Sequence, residues 1–412
     1  VKAKQPRILG STGANMTTVC LIKVQEYNKQ KIANGLRLAW QKQNYAALFG
    51  SSEKILLKPN MLSAVTPDLA VTTNPVVFGA LAEVLADQNI NPHLLLSYGD
   101  SPAHESMAKA ARITGLEAMA NDYGLISADF DNGVEVQFPA DSFIKHLNIA
   151  NGVLAADGIV SVSKFKTHAL TGITGAVKNQ YGVIPGLKKA RFHAVYSDVR
   201  AFARMLVELN RYLKPRLYVM DAVTIMEGNG PRNGTPRSAG YVLVGTDPVA
   251  VDTVMAAITG HNTNKMPLFQ LFKQTGFGEV DQEKIDLIVI DTNSSSENEG
   301  AIKEGALPQL LPELEIEDFV QAKTEKSWMT SATRISGNFS RRFILQRPVI
   351  DAKTCIRCGQ CVTSCPLEPK ALHQENRDVP KYRYDLCIRC FCCQEICPAA
   401  AISVRKPWQS SR

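Results

Sequence analysis

A large α/β domain with a parallel or mostly parallel sheet, followed by a small α+β domain, is the fold class this sequence predicts. Two observations carry it. Residues 1 to about 290 alternate short apolar runs with segments of helical periodicity, the pattern of strands and helices in turn. Beyond residue 348 the composition changes, because eight of the ten cysteines fall there in two copies of one spacing. We therefore expect an α/β domain over 1–320, a basic linker over 321–347 and a cysteine-rich domain over 348–408.

The candidate strands are Ile55–Leu57, His93–Ser97, Gly158–Val162, Leu217–Met220, Tyr241–Val244 and Leu287–Ile290. Between the first two, Val77, Leu81, Val84 and Leu85 recur at helical spacing, and Pro75 suits a first helical turn. A second helix is expected from Ser197 to Leu213, ending before Pro215. A third follows Asp247-Pro248, an N-cap with proline at the first position, and runs to Gly260. Asp247 is read as that cap and not as a ligand. Leu310 to Phe319 has enough apolar residues to pack back on the first domain.

Polar residues gather where these strands end. Lys58 and Asn60 follow the first, Asp100 the second, and Lys164, Lys166 and His168 the third. A glycine-containing stretch with Lys178 and Asn179 comes next, then His193, and Glu227 lies beyond the fourth strand. In an open parallel sheet ligands bind past the carboxyl ends of the strands, so these residues are expected along one rim. Lys166, His168, Lys178 and His193 are the catalytic candidates. Lys58, Asn60, Asp100, Lys164, Asn179 and Glu227 are the substrate-binding candidates. The plainer reading of each alone is a solvated loop residue. The Thr171–Lys178 loop is not a P-loop, since the G-x4-G-K-[ST] order is absent.

The two cysteine runs are Cys355, Cys358, Cys361, Cys365-Pro366 and Cys387, Cys390, Cys393, Cys397-Pro398. Both read C-x2-C-x2-C-x3-C-P, the run that holds 4Fe–4S clusters in two-cluster bacterial ferredoxins. Three closely spaced thiolates wrap three corners of a cluster, and the fourth of each run reaches the other one. The expected sets are Cys355, Cys358, Cys361 and Cys397 for one cluster, and Cys387, Cys390, Cys393 and Cys365 for the other. Zinc would explain two CxxC pairs, but not four cysteines per run with proline after each last one. A disulfide framework suits a small secreted domain, whereas this end is attached to a long cysteine-poor chain. Cys392 is out of register and is read as a small buried residue; Cys20 is read as inert.

The chain has 412 residues, 45% of them hydrophobic and 21% charged, values typical of soluble globular proteins. No run approaches the ~20 apolar residues of a membrane span. Nor does a basic segment lead into an apolar one near Val1, which is not a start methionine. The formal charge is +7. Two oxidised clusters at about −2 each bring it to about +3, and no nucleic-acid motif accompanies that small surplus. Thiolate ligands need reducing surroundings, so the cytoplasm is expected.

Several of these stretches together carry a family resemblance. They are Leu57-Lys58-Pro59-Asn60, Thr72-Thr73-Asn74-Pro75, Gly99-Asp100-Ser101, Lys164-Phe165-Lys166-Thr167-His168, Thr174 to Gly182, and Gly245 to Asp252. Over roughly 50–405 the chain resembles the family catalogued as domain of unknown function 362, some members of which carry a two-cluster module at this end. More distantly, the fold it implies is similar to the N-terminal part of nickel-dependent lactate racemases. The pattern that binds the nickel cofactor there is not evident here.

Three functions fit the sequence. One is an iron–sulfur oxidoreductase passing electrons from two 4Fe–4S clusters to a small anionic or carbonyl substrate on the rim. Another is an electron-transfer or cofactor-maturation subunit that docks a redox partner protein. The third is a non-redox, isomerase-type enzyme with structural clusters.

Overall fold

A computed structural model describes residues 16–406, except 88, 92–93, 103–104, 187–188, 190–191, 193–195, 197–198, 294–300 and 323–345. His193 and most of the expected linker therefore lie outside the described residues. Among the described residues no helix is long and apolar enough to cross a membrane.

The strands in chain order are β1 (Thr17–Lys23), β2 (Lys54–Pro59), β3 (Leu95–Tyr98), β4 (Ile126–Ser127), β5 (Gly133–Gln137), β6 (His146–Ala150), β7 (Gly158–His168) and β8 (Gly172–Thr174). They continue with β9 (Leu217–Glu227), β10 (Thr235–Gly245), β11 (Ile285–Asp291), β12 (Ala301–Ala306), β13 (Arg347–Ile350), β14 (Leu372–His373), β15 (Lys381–Tyr382) and β16 (Ile402–Arg405). One mixed sheet runs β12-β11-β1-β10-β9-β7-β2-β3-β4, with β8 paired to β7. The pairs β1/β11, β2/β3, β2/β7, β3/β4 and β7/β9 are parallel. Strand β10 is antiparallel to both neighbours, β1 and β9, and residues 228–234 connect it to β9.

The sheet is mostly parallel, as the alternating pattern implies, and its central strands are buried on both faces. The helix Pro75–Ala86 starts as expected, with Asn74 capping Val76 N and Pro75 in the first turn. Asp247 likewise accepts from Val249 N and Ala250 N at the head of Pro248–Ile258.

Strand ends differ from the sequence reading in a way that matters. The third expected strand stops at Val162, but β7 continues to His168. The polar side chains ended the apolar pattern without ending the strand. Alternation then puts Lys164, Lys166 and His168 on one face and Phe165 and Thr167 on the other. Strand β9 likewise runs to Glu227, past Asp221. After β8 a short helix, Ala176–Asn179, has its first amides held by Asp252.

The cysteine-rich end has its own small core of Cys361, Cys365, Leu372, Cys393, Cys397 and Ile402. It is closed by β13 against β16 and β14 against β15.

Candidate functional site

Four lysines lie on or beside the carboxyl ends of β2 and β7, and they are not equivalent. Lys58 is fully buried and pairs with Asp100 at 2.9 Å. The same carboxylate accepts from Met61 N and Ser101 N. Gly182 is required against this pair, because a Cβ there would fall 1.9 Å from Asp100 Oδ1. Lys164, also fully buried, donates to Asp221 at 2.8 Å and to the Tyr27 hydroxyl at 2.8 Å. Asp221 accepts from Asn74 N and the Tyr27 hydroxyl as well. Burial works to lower the Lys164 pKa, but Asp221 and Tyr27 outweigh it and the net shift is upward. For Lys58 burial wins over Asp100 and the pKa falls.

Lys166 has a different environment. It is 1% exposed and donates to Asn60 Oδ1 and the Val71 carbonyl, both at 2.7 Å. Both acceptors are neutral, and among the described residues no carboxylate lies within ion-pair distance. Burial first, then Lys178 and Lys164, push its pKa well below that of an ordinary lysine. Two donated N–H bonds with no counter-ion suit an amine better than an ammonium. Lys178, half-buried on the short Ala176–Asn179 helix, is lowered by burial and partly restored by Glu395 and Cys392.

His168 is buried, and its Nδ1 accepts from Leu170 N at 3.1 Å and Thr171 N at 3.3 Å. Two amides on Nδ1 fix the ring proton on Nε2. That nitrogen lies 3.0 Å from Glu395 Oε1, which belongs to the second cysteine run. Burial, then Lys178, brings the His168 pKa down to about 4, so the ring is neutral near pH 7. Asn179 Nδ2 donates to the Lys58 carbonyl and Ser161 Oγ. Glu227 stands apart from this group, held by Arg237 at 3.1 Å and by Val320 N.

The cysteine-rich end is seated on this face. Besides His168–Glu395, Arg232 donates to the Ile396 carbonyl and Asn233 to the Gln394 carbonyl, while Gln394 donates to Asn229. These three come from the β9–β10 connection. Gly230 lets that connection lie against β7, since a Cβ there would meet the Thr167 carbonyl at 2.1 Å. Sequence reasoning missed Tyr27, Glu395 and this connection. Comparing the two cysteine runs would have flagged Glu395, which stands where the first run has Thr363.

The two runs fit an iron–sulfur cluster on their own geometry. Backbone amides of Arg357, Ala371 and Ala401 point at the sulfurs of Cys355, Cys365 and Cys397 at 3.3–3.4 Å. Left-handed residues recur at matching places, Arg357 and Gly359 in the first run and Arg389 and Phe391 in the second, and they curl each loop around its centre. Burial, then Cys397, Cys358 and Cys355, pushes the Cys361 thiol up to about 12. Among the described residues no three His, Cys, Asp or Glu side chains close on a point that one metal ion would fill. The thiols instead spread over two loops.

Two predictions follow from the buried charges. Asp221→Ala strands Lys164 without its counter-ion and should cost about 3–5 kcal/mol, read from urea unfolding. His168 has a folded pKa below its ordinary 6.5, so the unfolded chain binds the proton first as pH falls. Its contribution is therefore present above 6.5 and lost as pH drops toward 4. Wild type should lose on the order of 2 kcal/mol more than His168→Gln between pH 7 and pH 5; parallel unfolding curves would refute this.

Known proteins resemble the two regions separately. Residues 55–257 match the family described as domain of unknown function (DUF362), and 347–398 match a 4Fe–4S dicluster domain. Thylakoid-associated protein sll1697 of a Synechocystis strain is 30% identical over 243 residues, 58% of this chain and 74% of that protein. Pyruvate synthase subunit PorD of Thermotoga maritima is 30% identical over 82 residues, 20% of this chain and 71% of that protein. Among solved structures, the lactate racemase apoprotein of Thermoanaerobacterium thermosaccharolyticum aligns at a TM-score of 0.37 and 9% identity. That alignment spans 58% of this chain and 57% of the racemase. Residues 347–398 thus carry a ferredoxin-like iron–sulfur module suited to electron transfer, and the chain belongs to the DUF362 family.

Proposed function

We propose that this chain is an iron–sulfur oxidoreductase that passes electrons from two 4Fe–4S clusters to a small anionic or carbonyl substrate at the lysine-lined face. The observation that carries this reading is the seat of the second cysteine run. Its helix Cys392–Ile396 rests on that face, with Glu395 against His168 and its carboxylate partly restoring the lowered Lys178 pKa. The sets Cys355, Cys358, Cys361, Cys397 and Cys387, Cys390, Cys393, Cys365 would hold the clusters, which supply single electrons when bound.

The remaining roles follow from charge. Lys58 and Lys164 are satisfied by Asp100 and Asp221, so they fix the frame of the face. Lys178 is the cation left to meet a substrate oxygen, and its lowered pKa makes it a better acid than an ordinary lysine. Lys166, held by Asn60 and the Val71 carbonyl and lowered in pKa, is the candidate to accept a proton at this face. Asn179 ties the Lys178 helix to β2 and β7. His168 Nε2 lies 3.0 Å from Glu395 Oε1, a contact that brings the module against the face. His193 belongs to the same reading as a second proton donor.

A second reading has its own support. PorD is by its name a subunit of pyruvate synthase, and the C-terminal region resembles it. The chain would then carry electrons for a docked partner protein.

Anaerobic reconstitution should yield about eight iron and eight sulfide per chain. Mixing the reduced protein with acids, ketones and enoyl compounds should then restore the oxidised absorbance with at least one class. Lys178→Ala should slow that reoxidation at least a hundredfold with the reduced spectrum unchanged. Reoxidation by no compound, together with capture of an enzyme partner, would favour the second reading.

A further inference from the structure

The two cysteine runs are copies with different surroundings. Cys355-Ile356-Arg357-Cys358-Gly359-Gln360-Cys361 aligns residue for residue with Cys387-Ile388-Arg389-Cys390-Phe391-Cys392-Cys393. The backbones match as well, with φ of 57° and 59° at Arg357 and Arg389, and 74° and 59° at Gly359 and Phe391. Differences in exposure therefore come from what each copy packs against. Ile356 is 64% exposed, and Arg357, Cys358 and Gln360 are exposed beside it. The equivalent Ile388, Arg389 and Cys390 are half-buried, and Phe391, Cys392 and Cys393 are buried.

Phe391 sharpens the contrast. A bulky side chain at positive φ is an outlier that persists where its surroundings hold it, and the first copy places glycine there instead. Substituting Phe391 and Cys392 for Gly359 and Gln360 gives the second copy an apolar surface. The next residues, Gln394 to Ile396, carry the contacts to Asn229, Arg232, Asn233 and His168. The second copy is thus the one committed to its own α/β domain. The first leaves an apolar side chain standing between two cluster ligands, flanked by exposed Lys353 and Arg357.

We infer that the exposed loop Ala352–Cys358 is the docking surface for a small one-electron carrier protein, which makes the first run's cluster the electron-accepting end and the second run's cluster the delivering end. A contact of this kind is small and transient, which suits a single protruding isoleucine with charged neighbours. With both clusters bound, loss of one electron would oxidise the carrier, and that electron would reduce the outer cluster and pass from it to the inner one. Two such encounters load the pair needed for a two-electron reduction. This ordering rests on the proposed oxidoreductase reading only for the last transfer, from inner cluster to substrate.

The test uses the full-length, cluster-loaded protein with Ile356→Glu, a change of an exposed side chain that is not itself a ligand. Reduced two-cluster ferredoxin and reduced flavodoxin are the protein donors, and dithionite is the small-molecule control. Cluster bleaching by the better protein donor should slow at least tenfold in the variant, while dithionite reduces both proteins equally. Hydrogen exchange should also show protection at 352–358, but not at 388–396, when oxidised carrier is added. Equal rates for wild type and variant, protection at 388–396 instead, or no transfer from either donor to wild type would overturn the inference. A slowed carrier step in a protein that reduces no substrate would keep it and discard the oxidoreductase reading.

Discussion

The structure depends on accommodating a row of buried basic side chains. Strand β7 alternates, so Lys164, Lys166 and His168 must share a face, and the sheet around them excludes water. Asp221 answers Lys164, and Asp100 answers Lys58 from the neighbouring strand end. Lys166 receives only neutral oxygens, and its charge is suppressed as a result. Much of the local architecture serves these pairings: Tyr27 reaches in from the first strand–helix connection, and Gly182 leaves room for Asp100.

The same charges set the place of the cysteine-rich end. Glu395 is the carboxylate that this module brings to the face, beside neutral His168 and lowered Lys178. Coulomb attraction in so dry a setting is stronger than at a surface, and the β9–β10 connection adds three hydrogen bonds. Module and lysine face are thereby coupled: a change of charge at one is felt at the other. This coupling is the physical basis for reading the two regions as parts of one redox device.

Much of this was legible in the sequence, for identifiable reasons. Cysteine spacing is a local signal set by cluster geometry, so the module could be read without tertiary information. The alternation of strands and helices gave the α/β class, and Pro75 and Asp247-Pro248 marked helix starts through backbone chemistry. The extent of β7 was not legible, since Lys164, Lys166 and His168 look like a polar loop until Asp221 and Asn60 are seen opposite them. Partner identity was hidden for the same reason. Tyr27 is 137 residues from Lys164, and Glu395 belongs to a different region from His168. Glu227 shows the converse: its position after an apolar run suggested the face, but the strand continues and Arg237 holds it elsewhere.

The proposed function needs an iron–sulfur cluster against the lysine face, which anomalous scattering at the iron edge from crystals of the intact chain, grown without oxygen, would locate. Two four-iron centres are expected, one under the solvent-exposed Ala352–Cys358 loop and the other beside helix Cys392–Ile396, facing Lys178. Iron confined to the outer position, or a zinc signal in place of iron, would contradict the proposed function.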